Sequence, residues 1–354
     1  MKTNRVVEVM FRTLLSISSL LLLGGAPALF AGPLSFGLPT ENRHLLTGEP
    51  EKFYMYVDRT FEGERSTPWQ GGAWGLVRNP IRINGEIEYL RFHEGIDISP
   101  IRRDKAGNPL DLVMSIADGQ VVHVNDVAGR SNYGKYIVVA HPINAAQDHV
   151  FSLYAHLAKC SVVPGDPVRK GSVLGQMGYT GSGLNRTRAH LHLELALLMS
   201  SNFAGWFQRY SGGSNYHGNY NGMNLIGMEV SRFLEEHAEN PHLDITQFVR
   251  SSPAYFKVTI PRRSTWDFAE RHPWLAYGDL SKPSPSWEIS FTATGLPTGI
   301  AISQRKVSAP IVSAVKDSGK PHRYLTRGLL SGEGSSVTLS SNGKKLVALI
   351  SGAF

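Results

Sequence analysis

Polar and apolar residues alternate without interruption from Arg188 to Leu195, in the order Arg-Ala-His-Leu-His-Leu-Glu-Leu. A period of two predicts a half-buried β-strand. Leu191, Leu193 and Leu195 would face a core, and His190, His192 and Glu194 would share the other side. Two imidazoles two strand residues apart lie roughly 6–7 Å from each other, near enough to serve one metal-centred site. A lone His-x-His is as readily a strand with two surface histidines, because so short a motif matches by chance.

Short apolar runs recur at 96–98, 119–124, 135–140, 150–154 and 172–176, separated by glycine-bearing turns. With no long amphipathic helix between them, they predict an antiparallel sheet. Upstream, residues 32–86 show no period and predict an irregular arm, whose run from Pro68 to Gly75, rich in Trp and Gly, packs as a loop over a sheet edge. Downstream, residues 203–222 are rich in Gly, Ser and Asn and predict a loop. The spacing of Leu225, Met228, Phe233 and Leu234 predicts a short helix over 225–237. Strand patterns return at 256–260, 287–292, 336–339 and 345–350. The chain therefore reads as mainly β: an antiparallel sheet domain over 87–200, a loop-and-helix extension over 201–250 and a small C-terminal β-rich domain over 251–354.

Composition agrees with a packed chain, since 42% of residues are hydrophobic and 18% charged. Near the N-terminus Lys2, Arg5 and Arg12 precede an apolar run from Leu14 to Leu23, followed by small residues at Ala26, Ala28 and Ala31. That layout is an export signal over residues 1–31, with an uncleaved anchor as the alternative, although the run is short for a bilayer span. No other segment is apolar enough to cross a membrane. The mature protein is expected outside the cytoplasm, periplasmic or associated with the cell wall, with no integral span after signal cleavage.

The net charge of +7 falls to about +5 once a signal carrying three basic residues and one acid is removed. Moderate positive charge suits an anionic partner such as a cell wall. No basic-aromatic patch points to nucleic acid, and nothing identifies a protein partner. Cys160 is the only cysteine, which excludes an internal disulfide and a cysteine-held zinc. Any metal must rest on His, Asp or Glu.

Two further stretches supply such groups. In His93–Glu94–Gly95–Ile96–Asp97, glycine and the β-branched isoleucines oppose a helix. In extended backbone His93 and Asp97 share a face, as two ligands or as a plain surface ion pair. Tyr154–Ala155–His156–Leu157 places a third histidine at the end of an apolar strand. The remaining histidines, including His123, His141, His149 and His217, lie outside these stretches; His141 and His149 flank a loop near the site and are expected at the solvent surface, with a substrate contact as the alternative.

Taken in order, His-x-x-x-Asp, Tyr-Ala-His-Leu and His-Leu-His resemble the lysostaphin/LytM-type zinc peptidases of bacterial cell walls. The likeness extends through Tyr133–Gly134–Lys135–Tyr136–Ile137–Val138–Val139 and the turn over residues 163–175. It implies a zinc metallo-endopeptidase domain over 87–200 holding one Zn²⁺ through His93, Asp97 and His192. Three protein ligands leave a fourth tetrahedral position, as catalytic zinc requires. The resemblance makes His156 and His190 the unliganded catalytic pair, one moving a proton and one stabilising an oxyanion. Glu194 would either orient His192 or lie at the surface. The implied activity is hydrolysis of amide bonds in peptidoglycan stems or cross-links through a metal-activated water. Two alternatives remain: a non-catalytic wall-binding or hydrolase-activating protein of the same fold, and a metalloprotease acting on proteins. Where the family carries Gly-Pro before its His-x-His, this chain has Arg186–Thr187–Arg188–Ala189, which bears on substrate preference.

Overall fold

Strand-forming segments account for most of the regular structure, and every ladder between the described strands is antiparallel. The computed structural model describes residues 34–143 and 148–354. The export signal expected over residues 1–31 lies outside the described residues. A hairpin of β1 (Gly75–Ile83) and β2 (Glu86–His93) comes first. A nine-stranded sheet follows, built from β3 (Ile96–Ile98), β4 (Leu112–Met114), β5 (Gly119–Asn125), β6 (Lys135–Pro142), β7 (His149–Cys160), β8 (Pro167–Val168), β9 (Val173–Met177), β10 (Leu191–Leu198) and β11 (Leu225–Gly227). Its main path runs β11-β10-β7-β6-β5-β8, with β3 on β10 and β9 bridging β4 and β7. β12 (Phe256–Pro261), β13 (Ser286–Phe291), β14 (Pro297–Ser303) and β15 (Ile311–Val315) form a second sheet. β16 (Leu330–Glu333) and β17 (Ser336–Leu339) make a last hairpin before the helix Ser341–Ser351. Among the described residues no helix is long and apolar enough to cross a membrane.

The alternating strand β10 is buried on both faces rather than one. Leu191, Leu193, Leu195 and Leu197 join the principal core with Ile137, Val139 and Tyr154. Its opposite face belongs to a second cluster around Tyr136, Leu153, Ala155, Ala196 and Leu225, with Tyr133 and Tyr220 packed on it. The chain folds back over the polar face, and a period of two carries no information about that cover.

Four expectations change. Residues 75–83, expected to be irregular, form β1. Residues 203–210, expected as loop, form the helix Phe203–Tyr210 with Phe203 and Trp206 buried. The helix expected from residue 225 begins later, at Val230, because Leu225–Gly227 adds a strand to β10. Residues 345–350, expected as strand, lie in the helix Ser341–Ser351, which the Ser340 side chain caps at Gly343 N and left-handed Gly352 ends. There Leu346–Val347–Ala348–Leu349–Ile350 is buried all round, and a fully buried apolar run carries no period to separate helix from strand.

Candidate metal centre

Strand register brings the candidate ligands together. In the β3–β10 ladder Asp97 stands directly opposite His192, and opposed side chains of an antiparallel pair share a face. His93 ends β2, and the chain bends through Glu94–Gly95 into β3. A Cβ on Gly95 would collide with the Leu193 carbonyl oxygen and crowd His192 Nε2, so only glycine lets this bend lie against β10. In the β7–β10 ladder Ala155 faces His192, which puts His156 one residue further along. His156 adopts φ +65°, costly for a side chain with a Cβ and of the kind held at functional sites.

The five residues converge, and four are nearly inaccessible: His93 is 3% exposed, Asp97 2%, His190 2% and His192 5%. Asp97 Oδ1 lies 3.0 Å from His192 Nδ1 and 3.1 Å from His93 Nε2, and those nitrogens are 3.1 Å apart. His190 Nε2 is 3.3 Å from the same oxygen. The His156 ring centroid stands 4.9 Å from that of His190 and 5.8 Å from that of His192.

Hydrogen bonds on the far side of each ring orient the imidazoles. His93 Nδ1 donates to the Ala73 carbonyl at 2.8 Å. His156 Nδ1 donates to Thr180 O and His190 Nδ1 to Arg188 O, each at 2.8 Å. His192 Nε2 donates to Glu194 Oε1 at 2.9 Å, and the same oxygen accepts from the Tyr133 hydroxyl at 2.6 Å. In every case the other nitrogen points inward, towards the cluster. Glu194 is therefore a buried partner of His192 and not a surface residue.

The field around the cluster is cationophilic. Burial by itself would raise the Asp97 carboxyl, yet His190 and His93 beside it hold it well below the usual carboxylate range. Burial alone would depress His192, but hydrogen bonds to Asp97 and Glu194 outweigh it and push it up to about 10. His156 has no carboxylate partner, and burial with the neighbouring imidazoles brings it down to about 3. Tyr133, buried beside Glu194, is raised well above the ordinary phenol value and stays a donor. Arg78 of β1 binds Asp97 Oδ2 at 2.6 Å and the Gly71 carbonyl at 2.8 Å, which leaves Oδ1 as the oxygen facing the imidazoles.

These residues fit a zinc ion. His93 Nε2, His192 Nδ1 and Asp97 Oδ1 form a triangle with sides of 3.0–3.1 Å, close to the roughly 3.3 Å separating ligands of tetrahedral zinc at about 2.0–2.1 Å. Three acceptors at that spacing can share one proton at most, whereas a divalent cation satisfies all three. The acceptors behind both imidazoles match the usual support of metal-bound histidines.

Sequence reasoning missed Arg78 and the Ala73 carbonyl. Both come from the segment expected to be irregular, where no spacing marked them. It also placed His141 at the surface, but that residue is wholly buried, between the Asp118 carbonyl and the Ser152 hydroxyl.

Residues 91–202 match the model of peptidase family M23. Among solved structures, the catalytic domain of the antimicrobial peptidase lysostaphin from Staphylococcus simulans is 22% identical, over 46% of this chain and 89% of that one, with a TM-score of 0.28. A putative glycyl-glycine endopeptidase lytM from Ruminococcus gnavus is 31% identical, over 30% of this chain and 39% of its own length, with a TM-score of 0.24. A zinc-containing peptidase from Vibrio cholerae is 26% identical, over 41% of this chain and 36% of its own, with a TM-score of 0.25. The similarity to peptidase family M23 thus covers residues 91–202, the span that contains His93, Asp97, His156, His190 and His192.

Proposed function

We propose that this protein is an exported zinc endopeptidase hydrolysing amide bonds in the peptide stems or cross-links of peptidoglycan. One observation carries the reading: three acceptor atoms meet within 3.1 Å, beside two further imidazoles whose Nδ1 protons are committed to carbonyls.

His93, Asp97 and His192 would hold the ion. When bound, zinc supplies a Lewis acid that polarises a carbonyl and acidifies water. The chain's own residues do the rest. Glu194 and the Ala73 carbonyl keep the rings of His192 and His93 turned inward. Arg78 neutralises the outer oxygen of Asp97. His156 and His190 present their Nε2 atoms at one edge of the centre, that of His190 within 3.3 Å of Asp97 Oδ1, one to take the proton lost by the attacking water and return it to the leaving amine. The other, once protonated, donates to the developing oxyanion.

Zinc-loaded protein is expected to release new muropeptides from purified sacculi, read by chromatography and mass spectrometry. Chelation should stop the release and added zinc restore it. If metal-loaded protein leaves both sacculi and model cross-linked peptides intact, the reading fails. The burial of four of the five residues favours a second reading, a non-catalytic wall-binding protein. That reading predicts sacculus binding that survives chelation, with no product.

A further inference from the structure

A cleft of about 850 Å³ opens between the end of β2 and the helix Ser341–Ser351, and the chemistry above does not use it. Its inner wall includes Tyr133, whose ring centroid stands 5.5 Å from that of His192. Its outer wall includes Arg327 and Lys345, which lie beyond the matched span of residues 91–202. The cleft thus joins the flank of the metal centre to a part of the chain outside that span.

Its charge is one-sided. Arg91, Arg130, Arg327 and Lys345 line it against a single carboxylate, Glu94. Among the described residues none of these four cations forms an ion pair. Trp206 and Phe92 add flat apolar wall.

Arg327 is the most constrained of the four. It is half-buried, at φ +44°, with its guanidinium 4.8 Å from the centroid of the Phe92 ring. A partly desolvated guanidinium with no carboxylate bonded to it, its burial outweighing the attraction of Glu94, is costly, and so is left-handed backbone at a residue with a Cβ. The cost of burying the charge is offset when an anion arrives, because the guanidinium fork takes a carboxylate through two parallel hydrogen bonds. Stacked on Phe92, the fork is already held in place.

We propose that this cleft binds the carboxylate-bearing arm of an acidic peptide, with Arg327 as its anchor and Lys345 as a second positive contact. Only the naming of the peptide as substrate rests on the peptidase reading. A carboxylate fits better than a bulky polyanion, since the cations sit among aromatic walls and each offers one point of contact.

The test uses the zinc-loaded full chain and two synthetic stem peptides of one sequence, ending in a free carboxylate or a carboxamide. Affinity is measured by calorimetry. The carboxylate form should bind about tenfold more tightly, the expected size for a charge-assisted contact, and the preference should shrink with added salt. Arg327→Asn, which tolerates left-handed backbone, should remove most of it, and Lys345→Gln part of it. Equal affinity for the two peptides overturns the proposal. So does a preference that survives both substitutions. Should Arg327→Asn not fold, Lys345→Gln, on a half-exposed helix position, decides alone. A preserved preference without any cleavage of either peptide supports the cleft and removes the peptidase reading, so the two failures are distinguishable.

Discussion

Two histidine clusters lie on either side of a pair of tyrosines, and they differ in one component. At the metal centre, His93 and His192 face each other at 3.1 Å with Asp97 between them and Glu194 behind. In the second cluster, His123 Nε2 and His217 Nδ1 lie 3.4 Å apart, and His217 Nε2 donates to the Arg130 carbonyl. Tyr133 and Tyr136 bridge the clusters, with ring centroids 5.5 Å apart. The second pair has tyrosine rings and a carbonyl around it, and among the described residues no carboxylate bonds to it. The consequence is opposite in sign. His192 is pushed up to about 10 by hydrogen bonds that overcome its burial, whereas burial and His217 bring His123 down to about 4. The carboxylates are what separate the two pairs of imidazoles.

The sharpest way to break that comparison is to remove the charge and keep the shape. Asp97→Asn should weaken zinc binding by more than the roughly hundredfold that marks the upper end for losing an outer partner. Muropeptide release should vanish with it. Competition with a chelator measures the affinity. Retained zinc in Asp97→Asn would make the imidazoles sufficient and the contrast empty.

Next comes the division of labour inside the centre. His156→Asn and His190→Asn should each lower hydrolysis by about 10²–10⁴ while zinc content stays at one per chain. His123→Asn should leave both quantities where they are. Loss of zinc in His190→Asn would make His190 a ligand, a role its 3.3 Å contact with Asp97 makes worth testing.

A smaller effect concerns the partner behind the ring. Glu194→Gln keeps an acceptor for His192 Nε2 but loses the charge, and zinc affinity should fall about tenfold. Tyr133→Phe removes one hydrogen bond to the same oxygen and should cost less. If Glu194→Gln binds zinc as the natural chain does, the carboxylate behind His192 is not part of what separates the two clusters.

How much of this was visible beforehand follows from which interactions are local. The alternation of β10 set His190, His192 and Glu194 on one face, and the resemblance to known peptidases divided their roles. Register could not be read: that Asp97 stands opposite His192 depends on a ladder between residues 95 apart. Glu194 was ambiguous because a strand pattern does not show what covers its polar face, here Tyr133. Arg78 and the Ala73 carbonyl were invisible, since their partners are set by where the β1–β2 hairpin docks. The segment 345–350 was misjudged as strand because an apolar run buried on every side carries no period. His141 shows the same limit: a polar residue whose partners are distant leaves no local mark.

The smallest effect separates buried imidazoles without carboxylates from those of the centre. Burial brings His141 down to about 4, against the opposing pull of its hydrogen bond to Asp118 O. Its Nδ1 donates to that carbonyl, and its Nε2 lies 2.7 Å from the Ser152 hydroxyl oxygen. A folded-state value below the unfolded one means that the unfolded chain binds the extra proton first. The stabilisation is complete above the ordinary value near 6.5 and is lost as pH falls towards 4. For a group this buried the loss amounts to about 3 kcal/mol at most. Urea unfolding with excess chelator, from pH 7 down to pH 4, should show His141→Gln starting less stable than the natural chain but losing less on acidification. The slopes should differ by up to about 1.4 kcal/mol per pH unit, the limit for one proton. Parallel slopes would mean that His141 takes its proton as readily folded as unfolded, and that burial without a carboxylate does not keep an imidazole of this protein neutral.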